Sequence, residues 1–100
     1  MSIRTSASPD GIRIEISGRF DFSQNDAFRK SYQDAPAGVK FMLDLRRVEY
    51  VDSSALGMLL LLRRHAGDRM ESVVIQNVPP DVSRVLKIAR FDQLFTFAGA

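Results

Sequence analysis

A chain of 100 residues with a net charge of +2 suits one folded domain, and its charge is too weak to imply nucleic-acid binding by itself. Apolar residues make up 45% and charged residues 26%, enough for a single hydrophobic core and unlike a disordered segment. The absence of cysteine excludes disulfides, thiolate zinc sites and cysteine nucleophiles, and it fits a cytoplasmic protein.

The first residues, Met1 to Ser6, contain no apolar signal segment, and the run Leu59-Leu60-Leu61-Leu62 is too short to span a bilayer. No membrane association is expected. Ile3 to Ala7 reads as a short edge strand, and Pro9-Asp10-Gly11 as a turn. Ile12, Ile14 and Ile16 alternate with Arg13, Glu15 and Ser17, the period of a half-buried strand, so the two segments form a hairpin. Gly18 is expected to end this strand and Arg19 to Phe22 to form a loop. Ser23 then serves as the N-cap of a helix carrying Ala27, Phe28, Ser31 and Tyr32, which reaches about Asp34 before Ala35-Pro36-Ala37-Gly38 stops it.

Val39 to Leu45 is apolar except for Lys40 and Asp44, the composition of a central strand covered on both faces. Asp52-Ser53-Ser54 is a cluster of cap-forming residues before a strongly helical stretch, Ala55 to Arg64, which Gly67 closes. Ser72 to Gln76 reads as a further buried strand. Pro79-Pro80-Asp81 opens a helix with Val82, Val85, Leu86 and Ala89 on one face, and Leu94 to Phe97 can make a last strand. The order β-β-α-β-α-β-α-β implies one α/β domain over residues 1–100, with a mostly parallel central sheet, an N-terminal β-hairpin and helices packed on it.

The stretch that bears on function is Asp44 to Met58, where a buried strand leads into a helix N-terminus. Unpaired amides and the positive end of the helix dipole would accept a phosphate on a serine there. The plainer reading is that Asp52 and Ser53 or Ser54 act only as caps. The helix that follows is apolar at every position from Ala55 to Leu62 except Gly57. With Ala55, Leu56, Leu59 and Leu62 in the core, Ser54, Gly57 and Leu61 share a second face. That face is either a protein-binding surface or the cover of a larger core or dimer contact.

Asp52-Ser53-Ser54-Ala55-Leu56-Gly57 resembles the signature Asp-Ser-Ser/Thr-Gly/Ala-Leu-Gly of STAS-domain anti-anti-sigma factors. Leu43-Asp44-Leu45 and Val48 resemble the family's strand before that signature. Gly18-Arg19-Phe20-Asp21 is similar to its Gly-x-Leu/Phe-Asp motif, and Pro80 to Leu86 with Phe91 to Phe97 resemble its third helix and last strand. Ala55 stands where Gly is commoner and Phe20 where Leu is commoner. The resemblance implies a non-enzymatic anti-sigma factor antagonist, with no cofactor. Its unphosphorylated form would bind an anti-sigma factor, often a serine protein kinase, in a partner-switching cascade. Phosphorylation of Ser54 would block binding, and a PP2C-type phosphatase, often in a response regulator, would restore it. The resemblance further implies that Asp21, Asp52 and Ser53 surround the phosphosite, and no direct contact with nucleic acid is expected. The alternative is a STAS module for ligand sensing or for assembly in another regulatory complex.

Enzyme readings find little support. His65, the only histidine, follows Ser54 by eleven residues on the same expected helix, about 16 Å away, so no serine–histidine pair forms. It reads instead as a C-terminal helix residue complementing the dipole. No Gly-x-Ser-x-Gly, phosphate-loop or dinucleotide glycine motif occurs. A metal site would need Asp21, Asp44 and Asp52 to cluster at strand ends, as in phospho-aspartate receivers, but Asp44 sits inside a strand pattern and no second acidic pair follows the first parallel strand, so no metal is expected.

Overall fold

A computed structural model describes residues 2–36 and 38–99. The elements follow the expected order: β1 (Ser2–Ser8), β2 (Gly11–Phe20), α1 (Asn25–Tyr32), β3 (Phe41–Val51), α2 (Ser53–His65), β4 (Val73–Gln76), α3 (Pro80–Ile88) and β5 (Thr96–Ala98). They build one five-stranded sheet in the order β1-β2-β3-β4-β5. The hairpin pairs Ile3 with Ile16 and Thr5 with Ile14 in antiparallel register. From β2 onward the strands are parallel.

Every parallel connection steps one strand in the same direction. Such crossovers are right-handed, so all three connecting helices fall on one face of the sheet. Phe28 and Tyr32 of α1, Leu59 and Leu62 of α2, and Val82 and Leu86 of α3 accordingly share one core with Ile14, Leu43 and Ile75. Met42, Asp44 and Val74 are buried but lie outside that core. β3 is therefore not covered by helices on both faces, as its apolar run suggested. Met42 is sheltered within the sheet instead, with Arg13 on one side and Val74 on the other.

The central strand is longer than its pattern implied. Beyond Leu45, the core positions are Val48 and Val51, while the pairs Arg46-Arg47 and Glu49-Tyr50 face solvent. Two register shifts against β2, between Glu15 and Ser17 and between Gly18 and Arg19, explain the spacing. Each bulge inserts an extra residue and turns two consecutive side chains outward. Gly18 lies at the second shift with φ +85°, inside β2 rather than ending it.

Local chemistry accounts for the other departures. Asp21, not Ser23, caps the chain after β2: its carboxylate accepts the Ser23 N–H at 3.0 Å and starts a short 3-10 turn that leads into α1. α1 ends at Tyr32, two residues earlier than expected. On α2 the buried positions are Ala55, Met58, Leu59 and Leu62, with Met58 taking the place expected for Leu56, which is only half-buried. α3 buries Val82 and Leu86 but leaves Val85 exposed, and the last strand begins at Thr96 after a 3-10 turn at Phe91–Gln93. His65 does more than complement a dipole: its Nε2 lies 3.0 Å from the Ala35 carbonyl, and its ring packs between Tyr32 and Phe41. Gly11 must be glycine, because its φ is +143° and a Cβ would sit 2.1 Å from the Lys40 carbonyl oxygen, which accepts the Ile12 N–H.

Candidate functional site

The site lies where β2 and β3 leave the sheet. Phe20 pairs with Val51, so Asp21 and Asp52 emerge side by side from adjacent parallel strands, about 5 Å apart at the backbone. Both carboxylates cap the turn that follows them. Asp21 Oδ1 accepts from the Ser23 hydroxyl at 2.5 Å as well as from its N–H. Asp52 Oδ1 accepts the Ala55 N–H at 2.9 Å. The Ser23 hydroxyl bond, the Ser23 N–H and nearby Arg19 hold the Asp21 carboxyl below its usual range, against a smaller opposing effect of desolvation. Asp21 therefore stays ionised under neutral conditions.

This geometry separates two roles that the sequence left joined. Asp52 is the N-cap of α2, and neither serine hydroxyl is used for capping. Ser53 is exposed at the first helical position. Ser54, at the second, is half-buried, and its hydroxyl has no hydrogen-bond partner among the described residues. The amides of this first turn have no intrahelical acceptors, and the dipole's positive end lies here. Ala55, one position on, is fully buried and anchors the turn to the core.

The solvent face of α2 continues from this point. Gly57 is exposed, and a Cβ placed there would meet nothing within 4 Å. Leu61 is 53% exposed and Leu60 41%. The helix thus offers Ser54, Gly57 and Leu61 along one side, and the leucines that could have served a larger core do not. Sequence reasoning missed Phe22, which follows Asp21 and is 66% exposed. It opens the short 3-10 turn that Asp21 caps, a segment too short for any periodicity to mark a side chain as outward. Across the sheet end, the Arg19 guanidinium lies 4.1 Å from the Tyr50 ring centre and 3.5 Å from Asp21.

Asp44 does not join Asp21 and Asp52. It sits mid-strand on the helix-free face, bonded to Arg13, the Arg46 N–H and Asn77. Among the described residues, no three histidine, aspartate or glutamate side chains could together hold a metal ion, and no helix is long and apolar enough to cross a membrane. His65, at the far end of α2, is remote from Ser54.

The hairpin, the one-sided helices and the serine-bearing α2 start define a STAS domain. The family model described as "Mlab, STAS domain" matches residues 3–96, and the chain belongs to the STAS domain family. It is 45% identical over 98 residues to a STAS-domain containing protein of Pseudomonas aeruginosa strain UCBPP-PA14, covering 95% of this chain and 97% of that protein. Its fold is that of the anti-sigma factor antagonist SpoIIAA. The unphosphorylated form of that protein matches with a TM-score of 0.77 at 17% identity, covering 97% of this chain and 88% of SpoIIAA. The phosphorylated form of the Bacillus SpoIIAA, a cell fate determinant, matches with a TM-score of 0.70 at 16% identity, covering 97% and 91%.

Proposed function

We propose that this chain is a non-enzymatic, cytoplasmic anti-sigma factor antagonist, a single STAS domain over its whole length, switched by phosphorylation of Ser54. The unphosphorylated form binds an anti-sigma factor or serine kinase through Ser54, Gly57 and Leu61, with Phe22 at the edge of the same end. A PP2C-type phosphatase restores binding after phosphorylation. The observation that carries this reading is the Ser54 hydroxyl: it is partly open to solvent, unbonded, and placed at a helix start beside an apolar exposed face. The occurrence of SpoIIAA in phosphorylated and unphosphorylated forms on this fold supports it.

The physics needs no refolding. A phosphate adds roughly −1.5 to −2 charge at neutral pH. The first-turn amides of α2 that Asp52 does not cap, together with the helix dipole, tolerate it within the domain. A docked partner meets it differently, because the contact over Ser54 and Gly57 is built from small groups and leaves no space for a dianion. Bulk, desolvation and like-charge repulsion then fall on the interface, and each 1.4 kcal/mol lost weakens binding about tenfold.

The test is a pair of substitutions. Ser54→Asp should fold normally and lose partner capture, while Ser54→Ala should capture its partner constitutively and resist the kinase. Equal capture by both variants refutes the switch. Mass-spectrometric mapping should place the phosphate on Ser54, and a phosphate found only on Ser53 moves the site by one residue. The alternative, a STAS module that senses a ligand or joins another regulatory complex, is favoured by one observation, a polar hollow on the helix-free face of the sheet.

A further inference from the structure

The arginine pair Arg46-Arg47 plays no part in the α2 site. A solvated strand end would explain it from the sequence, but the pair lies within β3, where the first bulge turns both side chains out together. They line a hollow of about 600 Å³ on the helix-free face with Arg4, Arg13, Glu15 and Asp44. They also line a second, adjoining depression of about 570 Å³ next to Gly18 and Pro79. The volume is that of a small-molecule site.

The electrostatics of the hollow are lopsided. Four arginines face two carboxylates, and Arg13 occupies both of those. Its guanidinium bonds Asp44, approaches Glu15 Oε1 at 3.5 Å and donates to Gln76 Oε1 at 2.9 Å. The other Asp44 oxygen accepts the Arg46 N–H at 2.9 Å and the Asn77 amide at 3.3 Å. Among the described residues, the Arg4, Arg46 and Arg47 guanidinium groups therefore have no carboxylate within ion-pair distance. Arg13 is structural, whereas the other three are uncommitted forks converging on one cavity.

We propose that this hollow binds a small phosphorylated molecule, its phosphoryl oxygens held by Arg4, Arg46 and Arg47. Guanidinium forks match phosphoryl geometry in paired hydrogen bonds, and the mainly polar lining suits an anion rather than an apolar ligand. A nucleic acid fits less well, because Glu15, Asp44 and Glu49 interrupt the positive surface and no aromatic side chain lines the hollow for base stacking. The site lies on the opposite face of the sheet from α2 and is independent of the Ser54 switch.

Calorimetric titration with inorganic pyrophosphate tests this. Saturable binding is expected, weakened at least tenfold by the double substitution Arg46→Gln, Arg47→Gln and unchanged by Arg69→Gln, which removes the same kind of charge from a remote exposed ion pair with Glu71. Ser54→Ala should leave binding intact, which separates this result from the fate of the switch. Circular dichroism checks the double variant's fold. If that variant unfolds, amide shifts of the wild-type chain decide: changes centred on Arg4, Arg46 and Arg47 support the site, and changes elsewhere overturn it. No saturable binding at millimolar pyrophosphate, or equal loss in Arg69→Gln, also overturns it. Flotation with anionic phospholipid vesicles in the absence of pyrophosphate binding does so as well, and would mark the patch as a membrane contact instead.

Discussion

Replacing Gly57 by alanine separates stability from docking at the α2 face. Gly57 is the fifth residue of a 13-residue helix, well inside its hydrogen-bonded interior. Glycine there costs about 0.8–1.0 kcal/mol relative to alanine, chiefly in backbone entropy. The new methyl group meets nothing within 4 Å, so no steric penalty offsets the gain. Stability should rise by close to the full amount, and for a domain of this size about 1 kcal/mol raises the melting temperature by roughly 4–8 °C. Thermal melts followed by circular dichroism read this directly. Partner capture should move the other way. A methyl group on a face shared with Ser54 and Leu61 holds a docked surface away, and a loss of about 1.4 kcal/mol means tenfold weaker binding. A more stable variant with unchanged capture would falsify the α2 docking surface. A lower melting temperature would refute the claim that Gly57 is unpacked.

Three further outcomes are expected. Gly11→Ala should destabilise by about 1–3 kcal/mol or more, from a positive φ and the collision with the Lys40 carbonyl, and should lower the denaturation midpoint without changing its slope. Asp52→Ala removes the bond to the Ala55 N–H and should cost about 0.5–2 kcal/mol, read by urea unfolding. Burial raises the Tyr32 phenol above its usual value of 10.0, outweighing nearby Arg29, so the folded state holds this proton more tightly than the unfolded chain. Its contribution to stability is complete below pH 10 and is lost as pH rises through the higher folded value. Tyr32→Phe should remove that alkaline loss, and melts of both proteins from pH 8 to 11.5 that fall in parallel would contradict it.

Local signals in the sequence were sufficient where the structure is locally determined. The isoleucines of β2 alternate because one face is buried, and Asp52 caps α2 because a short acid before a helix finds the amide three residues on. The same locality misled at Ser23 and Gly18. A hydroxyl and a glycine are ordinary cap and stop signals, but Asp21 took the capping bond and the glycine was absorbed by a bulge. The outward Phe22 left no pattern at all.

The order of strands and helices and the serine at the α2 start were legible in the residues alone, since hydrogen bonding and side-chain period act over a few residues. Beyond the hairpin, which strands are neighbours is settled by long-range pairing. Because each connection steps the same way across the sheet, every helix lies on one face, and Met42, Asp44 and the arginines of β3 are left to the other. The bulges that turn Arg46 and Arg47 out together exist only in register with β2, a pairing between segments some thirty residues apart that no local preference encodes. The same long-range packing buries Met58 and leaves Leu60 and Leu61 in solvent, making an apolar helix a surface on one side and a core on the other.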